Sequence, residues 1–193
     1  MRDSIHVLGI IELDSLAQGY YVLDQMVKAA PITLVQVNVV NPGKFLIMVT
    51  GAVAEVEEAM KRGISASGEC LLDYLFLPNL HADVIPALNA SAGGVEMDAL
   101  GVIEAFTTTA GIEAADAAAK EAAVRIVSIR VGDEMGGKSS ATLTGPVGEI
   151  EAALGVARSL LVEKELLVRT TVIPRPHTDI AGYVMGSGAT GQV

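Results

Sequence analysis

The residues in this sequence that most resemble a chemical site are the glycines and lysine of "GDEMGGKSS", which runs from Gly132 to Ser140. Their spacing matches the phosphate-binding pattern G-x-x-x-x-G-K-[ST], in which backbone N–H groups at the start of a helix hold phosphate oxygens. Lys138 is followed by the alternating, β-branched "SSATLTG", so it should enter a strand rather than a helix. Asp133 and Glu134 would also repel a phosphate. We therefore predict that this loop does not bind a nucleotide.

The histidines and the single cysteine are the next candidates for chemistry. The three histidines have no metal-ligand spacing and no nearby nucleophile in the sequence: His6, His81 and His177. Cys70 aligns with Leu166 in the repeat described below, so we expect an apolar position and a buried, structural thiol. The sequence therefore predicts no catalytic residue, no metal site and no cofactor.

Composition and charge narrow the class of protein further. The chain has 193 residues, of which 51% are apolar and 19% charged, a composition typical of packed domains rather than disorder. Its net charge of −10 argues against nucleic acid or an anionic membrane as a partner. No apolar run approaches the ~18 residues of a membrane span, and no secretory leader pattern opens the sequence. Abundant small aliphatic residues favour apolar contacts between subunits, so we expect an oligomer.

The sequence contains two copies of one repeat. "LGIIELDSLAQGYYVLDQMVKAA" from Leu8 aligns with "LGVIEAFTTTAGIEAADAAAKEAA" from Leu100 at an offset of 92, and "LFLPNLHAD" aligns with "TVIPRPHTD" at an offset of 96. Glu12 matches Glu104, which explains these carboxylates as one structural position rather than a catalytic pair. The predicted domains span 1–92 and 98–185, joined near "ASAGGVEMD" and followed by a flexible tail at 186–193.

Each copy follows the order strand, helix, strand, strand, helix, strand. In the first copy we predict strands at 5–13, 34–40, 45–50 and 71–77, with helices at 16–30 and 53–68. This is the split βαβ, ferredoxin-like arrangement of an α+β fold, with antiparallel sheets and helices on one face. The loop between the second and third strands is "NPGK" in one copy and "GDEMGGK" in the other. Both copies keep only a small-residue turn and a lysine, so the phosphate-binding match is accidental.

Taken together, these motifs resemble those of bacterial microcompartment shell proteins, in the tandem-domain, trimer-forming class. The resemblance rests on "LGIIE" and "LGVIE", on "VKAA" and "AKEAA" at helix ends, and on "VIPRPHTD" closing the second copy. It covers essentially the whole chain, and the order of elements is similar to the non-permuted subclass. "NPGKFLIM" and "SLAQG" resemble the propanediol-utilisation type most closely.

The resemblance implies a structural protein rather than an enzyme. In that family three two-domain chains form a pseudohexameric homotrimer, which tiles with neighbouring hexameric and pentameric shell proteins in a shell in the bacterial cytoplasm. Small polar metabolites then pass through a narrow central pore. Two other functions stay open: a trimeric ferredoxin-like metabolite-binding or signalling module, and an enzyme that uses the acidic loop.

By position, the family's pore and tile-edge roles fall on two sets of residues. The expected pore-lining residues are Asn41, Pro42, Gly43, Lys44, Asp133, Glu134, Met135, Gly136, Gly137 and Lys138. The expected tile-edge residues are Lys28, Lys120, Asn79, His81, Arg175 and His177. Asn79 stands where the second copy has Arg175, so the two kinds of edge should bind neighbours unequally. The alternative for the lysines is an ordinary solvated side chain.

Asn41 is the residue at which this sequence departs from its nearest family type. There the resemblance implies a cysteine directly before "PGKF", and three such cysteines hold an iron–sulfur cluster in the pore. An asparagine amide supplies neither the charge nor the soft donor that cluster iron needs. We therefore predict a hydrogen-bonding passage without metal, held by the bend at Pro42. Alternatively, Asn41 caps its own turn.

Overall fold

The computed structural model describes residues 6–89, 97–132 and 135–184, and the chain divides into two compact units. Unit 1 comprises Met1–Ala82 with Gly132–Gly137, and unit 2 comprises Asp83–Val131 with Lys138–Val193. The predicted tail at 186–193 and most of the predicted linker lie outside the described residues.

The elements of unit 1 follow the predicted order closely. They are β1 (Leu8–Leu13), α1 (Leu16–Ala29), β2 (Thr33–Val40), β3 (Lys44–Thr50), α2 (Val53–Ser67) and β4 (Leu71–Leu77), with a short 3-10 turn at Gly68–Cys70. Only β1 differs by more than one residue, since it begins at Leu8.

The elements of unit 2 repeat this order between two short helices. They are α3 (Val84–Leu88), β5 (Ala99–Ala105), α4 (Thr108–Glu121), β6 (Arg125–Val131), β7 (Ser139–Gly145), α5 (Val147–Glu163), β8 (Leu167–Ile173) and α6 (Thr178–Val184). Pro146 is the N-cap residue of α5. None of the helices in the described part of the chain is long and apolar enough to cross a membrane.

Both units contain a four-stranded antiparallel sheet with the same topology. The strand orders are β2-β3-β1-β4 and β6-β7-β5-β8. The registers also match, because the ladder to the last strand is irregular between Glu12 and Leu13 in one sheet and between Glu104 and Ala105 in the other. The predicted α+β class with tandem split βαβ domains is confirmed.

The first helix of each repeat begins at a hydroxyl cap. The Ser15 hydroxyl accepts a hydrogen bond from the Gln18 N–H at 3.3 Å, and the Thr107 hydroxyl accepts one from the Ala110 N–H at 3.0 Å. Such caps satisfy N–H groups that have no partner within the helix. The caps therefore fix where α1 and α4 leave the preceding strands.

A glycine in each of these helices allows close packing on the neighbouring strand. A Cβ atom on Gly19 would lie 2.2 Å from Cδ1 of Phe45, and one on Gly111 would lie 1.9 Å from Oγ of Ser139. Phe45 and Ser139 are the counterparts at the start of β3 and β7, and both are buried. The strand that follows the predicted pore loop in each repeat, β3 or β7, is thus held against the first helix of that repeat.

Candidate functional site

A tight turn at Asn41–Gly43 joins β2 to β3 in unit 1. The Gly43 N–H donates to the Val40 carbonyl at 3.0 Å, and the peptide bond between Asn41 and Pro42 is cis. Gly43 has a φ of 109°, a value that side chains other than hydrogen rarely tolerate. The three turn residues are exposed, so this predicted pore loop is short and faces solvent in the single chain.

Lys44, the first residue of β3, forms an ion pair with the strand beside it. Glu12 on β1 lies opposite Leu46, two residues from Lys44, so the two side chains share one face of the sheet. The Lys44 Nζ atom lies 3.6 Å from Oε2 of the buried Glu12 and donates to the Gly137 carbonyl at 3.0 Å. The lysine therefore balances a buried carboxylate and also holds the end of the second predicted pore loop within unit 1.

The equivalent lysine of unit 2 makes the same pair in a more open setting. Lys138 Nζ lies 3.5 Å from Oε1 of Glu104, and both side chains are partly exposed. The register explains the pair, because Glu104 lies opposite Ser140, two residues from Lys138. The strand that we predicted after the lysine is confirmed, since β7 begins at Ser139. "GDEMGGKSS" thus lacks the helix that a phosphate-binding loop needs, and its lysine faces a carboxylate.

The rest of the second loop is rich in glycines with positive φ. The Met135 N–H donates to the Gly132 carbonyl at 3.1 Å. Gly132, Gly136 and Gly137 have φ values of 102°, 60° and 79°. Asp133 and Glu134, both expected to line the pore, lie outside the described residues.

The two predicted edge lysines are held by aspartates one helical turn earlier. Lys28 Nζ lies 2.6 Å from Oδ2 of Asp24, and Lys120 Nζ lies 2.5 Å from Oδ2 of Asp116. The pair on α1 is exposed, whereas Asp116 on α4 is buried. Asp24 and Asp116 are equivalent positions of the repeat, at an offset of 92, but they are not among the predicted site residues. The i, i+4 spacing on a helix was the signal that could have revealed their pairing with the lysines.

The turns after β4 and β8 carry the remaining predicted edge residues. Asn79 and Arg175 are exposed, and His81 is half-buried where its counterpart His177 is exposed. His177 Nδ1 accepts a hydrogen bond from the Asp179 N–H at 3.3 Å. Among the described residues, no three histidine, cysteine or acidic side chains come together as a potential metal site.

Cys70 occupies a structural position at the edge of the core. The Asp14 N–H donates to the Cys70 carbonyl at 3.0 Å, as the Phe106 N–H does to the Leu166 carbonyl at 3.0 Å. The side chain packs against the hydrophobic core but is only half-buried, which corrects the expectation of full burial. Partial burial and a hydrogen bond with Asp14 raise the pKa of the thiol above its usual value, so it is a poor nucleophile.

Comparison with known proteins identifies the family. Residues 7–80 and 99–176 each match the BMC domain. The chain belongs to the BMC-domain family. The bacterial microcompartment shell protein PduT of Citrobacter freundii is 39% identical over 170 residues, which are 88% of this chain and 92% of PduT. A crystal structure of a microcompartment protein from Desulfitobacterium hafniense DCB has a TM-score of 0.81 at 38% identity, covering 91% of this chain and 98% of that one.

A single-domain relative shows the relation of one unit to the family. The shell protein PduA of Citrobacter freundii is 36% identical over 87 residues, which are 45% of this chain and 90% of PduA. One BMC domain therefore corresponds to about half of this chain. The predicted resemblance to a tandem shell protein is confirmed, and the chain is a structural BMC-domain shell protein rather than an enzyme.

Proposed function

We propose that three copies of this BMC-domain protein form a pseudohexameric tile around a narrow central pore. The observation that carries the proposal is the pair of family matches at residues 7–80 and 99–176, which gives each chain two similar domains. A closed ring of three such chains has six domains and the outline of a hexamer. The tile belongs to a shell in the bacterial cytoplasm, where it adjoins hexameric and pentameric shell proteins.

In this proposal the loops between β2 and β3 and between β6 and β7 line the pore. The lining comprises Asn41, Pro42, Gly43, Lys44, Asp133, Glu134, Met135, Gly136, Gly137 and Lys138. The two lysines face Glu12 and Glu104, so carboxylates offset their positive charge. The net charge of the opening then comes from Asp133 and Glu134, and clustered carboxylates disfavour anions.

The pore therefore admits cations and neutral polar metabolites more readily than phosphorylated cofactors. A permeability assay on assembled shells tests this with the double substitution Asp133→Asn and Glu134→Gln. The variant should admit anions faster. Unchanged anion exclusion would show that Asp133 and Glu134 do not control which ions enter the pore.

Asn41 gives this pore an amide lining without metal. This proposal is supported by the position of Asn41 in an exposed turn, in which Gly43 has a positive φ. Anaerobic reconstitution with iron and sulfide should give no cluster absorption in the unmodified protein, whereas Asn41→Cys should acquire it. Cluster formation in the unmodified chain would overturn the prediction. A cysteine variant without a cluster would leave the placement of Asn41 at the pore axis unsupported, and the alternative is that Asn41 caps its own turn.

Tile-to-tile contacts are assigned to the rim residues of each half. They comprise Lys28, Lys120, Asn79, His81, Arg175 and His177. A planar guanidinium with five donors suits backbone carbonyls of a neighbour, so the edge with Arg175 should bind more strongly than the edge with Asn79. Arg175→Ala and Lys120→Ala should abolish or reshape sheets while the trimer persists. Dissociation of the trimer by either substitution would contradict the edge assignment.

Electron microscopy of the purified protein tests the proposed tile against the metabolite-binding alternative. Flat sheets or tubes are the expected result, because the tile has attractive edges on all sides. The Arg175→Ala variant, imaged beside the unmodified protein, should lose these sheets or form sheets of another shape. Discrete particles with ligand-dependent stability would instead support the metabolite-binding or signalling module.

A further inference from the structure

The second strands of the two sheets are equivalent in backbone but differ in what covers them. Thr33 of β2 lies opposite Thr50, and Arg125 of β6 lies opposite Thr144, the counterpart of Thr50. Both strands have a register shift after their second residue. The second residue of β6, Ile126, is nevertheless 1% exposed, whereas Leu34 of β2 is 45% exposed. Burial of that side chain in unit 1 therefore needs a further element.

In unit 2 the short helix α3 provides that cover. It packs against β6 with Val84 and Ala87 buried. The Asp83 carboxylate, at the start of α3, accepts a hydrogen bond from Arg125 Nε at 2.8 Å and one from the Ile126 N–H at 3.3 Å through Oδ2. Because the Asp83 carboxylate binds both the Arg125 side chain and the Ile126 N–H of β6, it fixes the position of α3 on this strand.

The counterpart of α3 in the second repeat is α6, and its beginning is exposed. Asp179 aligns with Asp83, and Ile180 aligns with the buried Val84. The Asp179 side chain is 86% exposed, compared with 17% for Asp83, and Ile180 is only half-buried. At the other end of α6, the Val184 carbonyl accepts a hydrogen bond from the Ser128 hydroxyl at 3.4 Å. The Asp179–Ile180 segment at the start of α6 is thus accessible in the single chain.

We propose that the outer edge of β2, with Thr33 on one face of the strand and Leu34 and Val39 on the other, binds the Asp179–Ile180 segment of a second copy of this chain. The Asp179 carboxylate of that copy accepts hydrogen bonds from the Leu34 N–H and from the Thr33 hydroxyl. Asp83 binds Arg125 and the Ile126 N–H of β6 in the same way. Ile180 covers Leu34 of β2, just as Val84 of α3 is buried against β6. This inference rests on the proposed homotrimer, because a copy that presents both an exposed β2 edge and an exposed Asp179–Ile180 segment can join others in a closed head-to-tail ring.

The contact between copies lacks one interaction that the contact on β6 has. Thr33 stands where Arg125 pairs with Asp83, so Asp179 meets a hydroxyl instead of a guanidinium. Replacing Thr33 by arginine should supply the missing ion pair. The gain is that of an exposed pair, roughly 2- to 5-fold in affinity for each interface.

Sedimentation of dilute protein tests this surface through the concentration at which the oligomer dissociates. Thr33→Arg should lower that concentration, and Asp179→Asn in the same chain should cancel the gain. Leu34→Ser should raise it at least severalfold without altering the unfolding midpoint of the isolated chain, because the side chain is already exposed there. Glu163→Gln, an exposed change on α5, is the matched control and should have no effect.

The outcomes separate this surface from the trimer itself. A trimer with the same dissociation in all these variants would overturn the proposed docking and leave the proposed tile intact. A gain from Thr33→Arg that appears in the unfolding midpoint and not in dissociation would place the contact within one chain and would also overturn it. A wild-type protein that stays monomeric at every concentration would contradict the trimer.

Discussion

Lys44 and Glu12 in unit 1 form a buried version of the ion pair that Lys138 and Glu104 form near the surface of unit 2. The glutamate is 2% exposed in the first pair and 31% exposed in the second. Strand register places both pairs on equivalent positions. Equivalent residues of the two repeats therefore share geometry but differ in burial, and burial decides how much each interaction matters for stability.

The largest difference in unfolding free energy is expected between two helix glycines. Gly19 on α1 packs against the ring of Phe45, whereas Gly155 on α5 faces open space. Gly19→Ala should lower the free energy of unfolding by about 3 kcal/mol, because its Cβ would lie 2.2 Å from the buried Phe45 ring. Gly155→Ala on α5 meets nothing within 4 Å and should stabilise by about 0.5–1 kcal/mol. Urea unfolding of both variants measures the contrast. A neutral Gly19→Ala would show that the ring can move aside.

The lysine pairs should respond next. Lys44→Met leaves the Glu12 carboxylate buried without its cation and should cost about 2 kcal/mol of unfolding free energy. Lys138→Met leaves a more exposed carboxylate and should cost less than about 1 kcal/mol. Equal losses in urea unfolding would mean that burial does not distinguish the two sites.

A smaller difference is expected for the aspartates that hold the edge lysines. Asp116→Asn weakens a charged hydrogen bond at a buried site and should cost about 1–2 kcal/mol. Asp24→Asn affects an exposed i, i+4 pair and should cost about 0.3–0.5 kcal/mol, most of which disappears in high salt. Thermal unfolding at low and high ionic strength measures both. A salt-sensitive Asp116 variant with a small loss would contradict its burial.

The smallest expected effect concerns Cys70, whose counterpart Leu166 has no reactive group. The raised pKa leaves less thiolate at pH 8 than an ordinary thiol has, so alkylation by iodoacetamide should be slower than that of a small thiol. Asp14→Asn removes a carboxylate that contributes to the raised pKa and should speed the reaction a fewfold. If Cys70 reacted at the rate of an ordinary thiol, its surroundings would not be raising the pKa of the thiol.

The sequence predicted the elements because their apolar periodicity and the repeat agree along the whole chain. The Lys44–Glu12 pair could not be predicted, since it depends on which residue of β3 lies opposite Glu12, and register is set by the folded sheet. The contact between Asp83 and Arg125 was also missed. It depends on α3, a helix of 5 residues that is too short to show helical periodicity.

Sedimentation equilibrium of dilute protein, at concentrations below those that give sheets, measures whether three chains form one tile. Each chain has a mass of 20.0 kDa, so a trimer should sediment as a single species of about 60 kDa. A stable species of 20.0 kDa at micromolar concentration would contradict it.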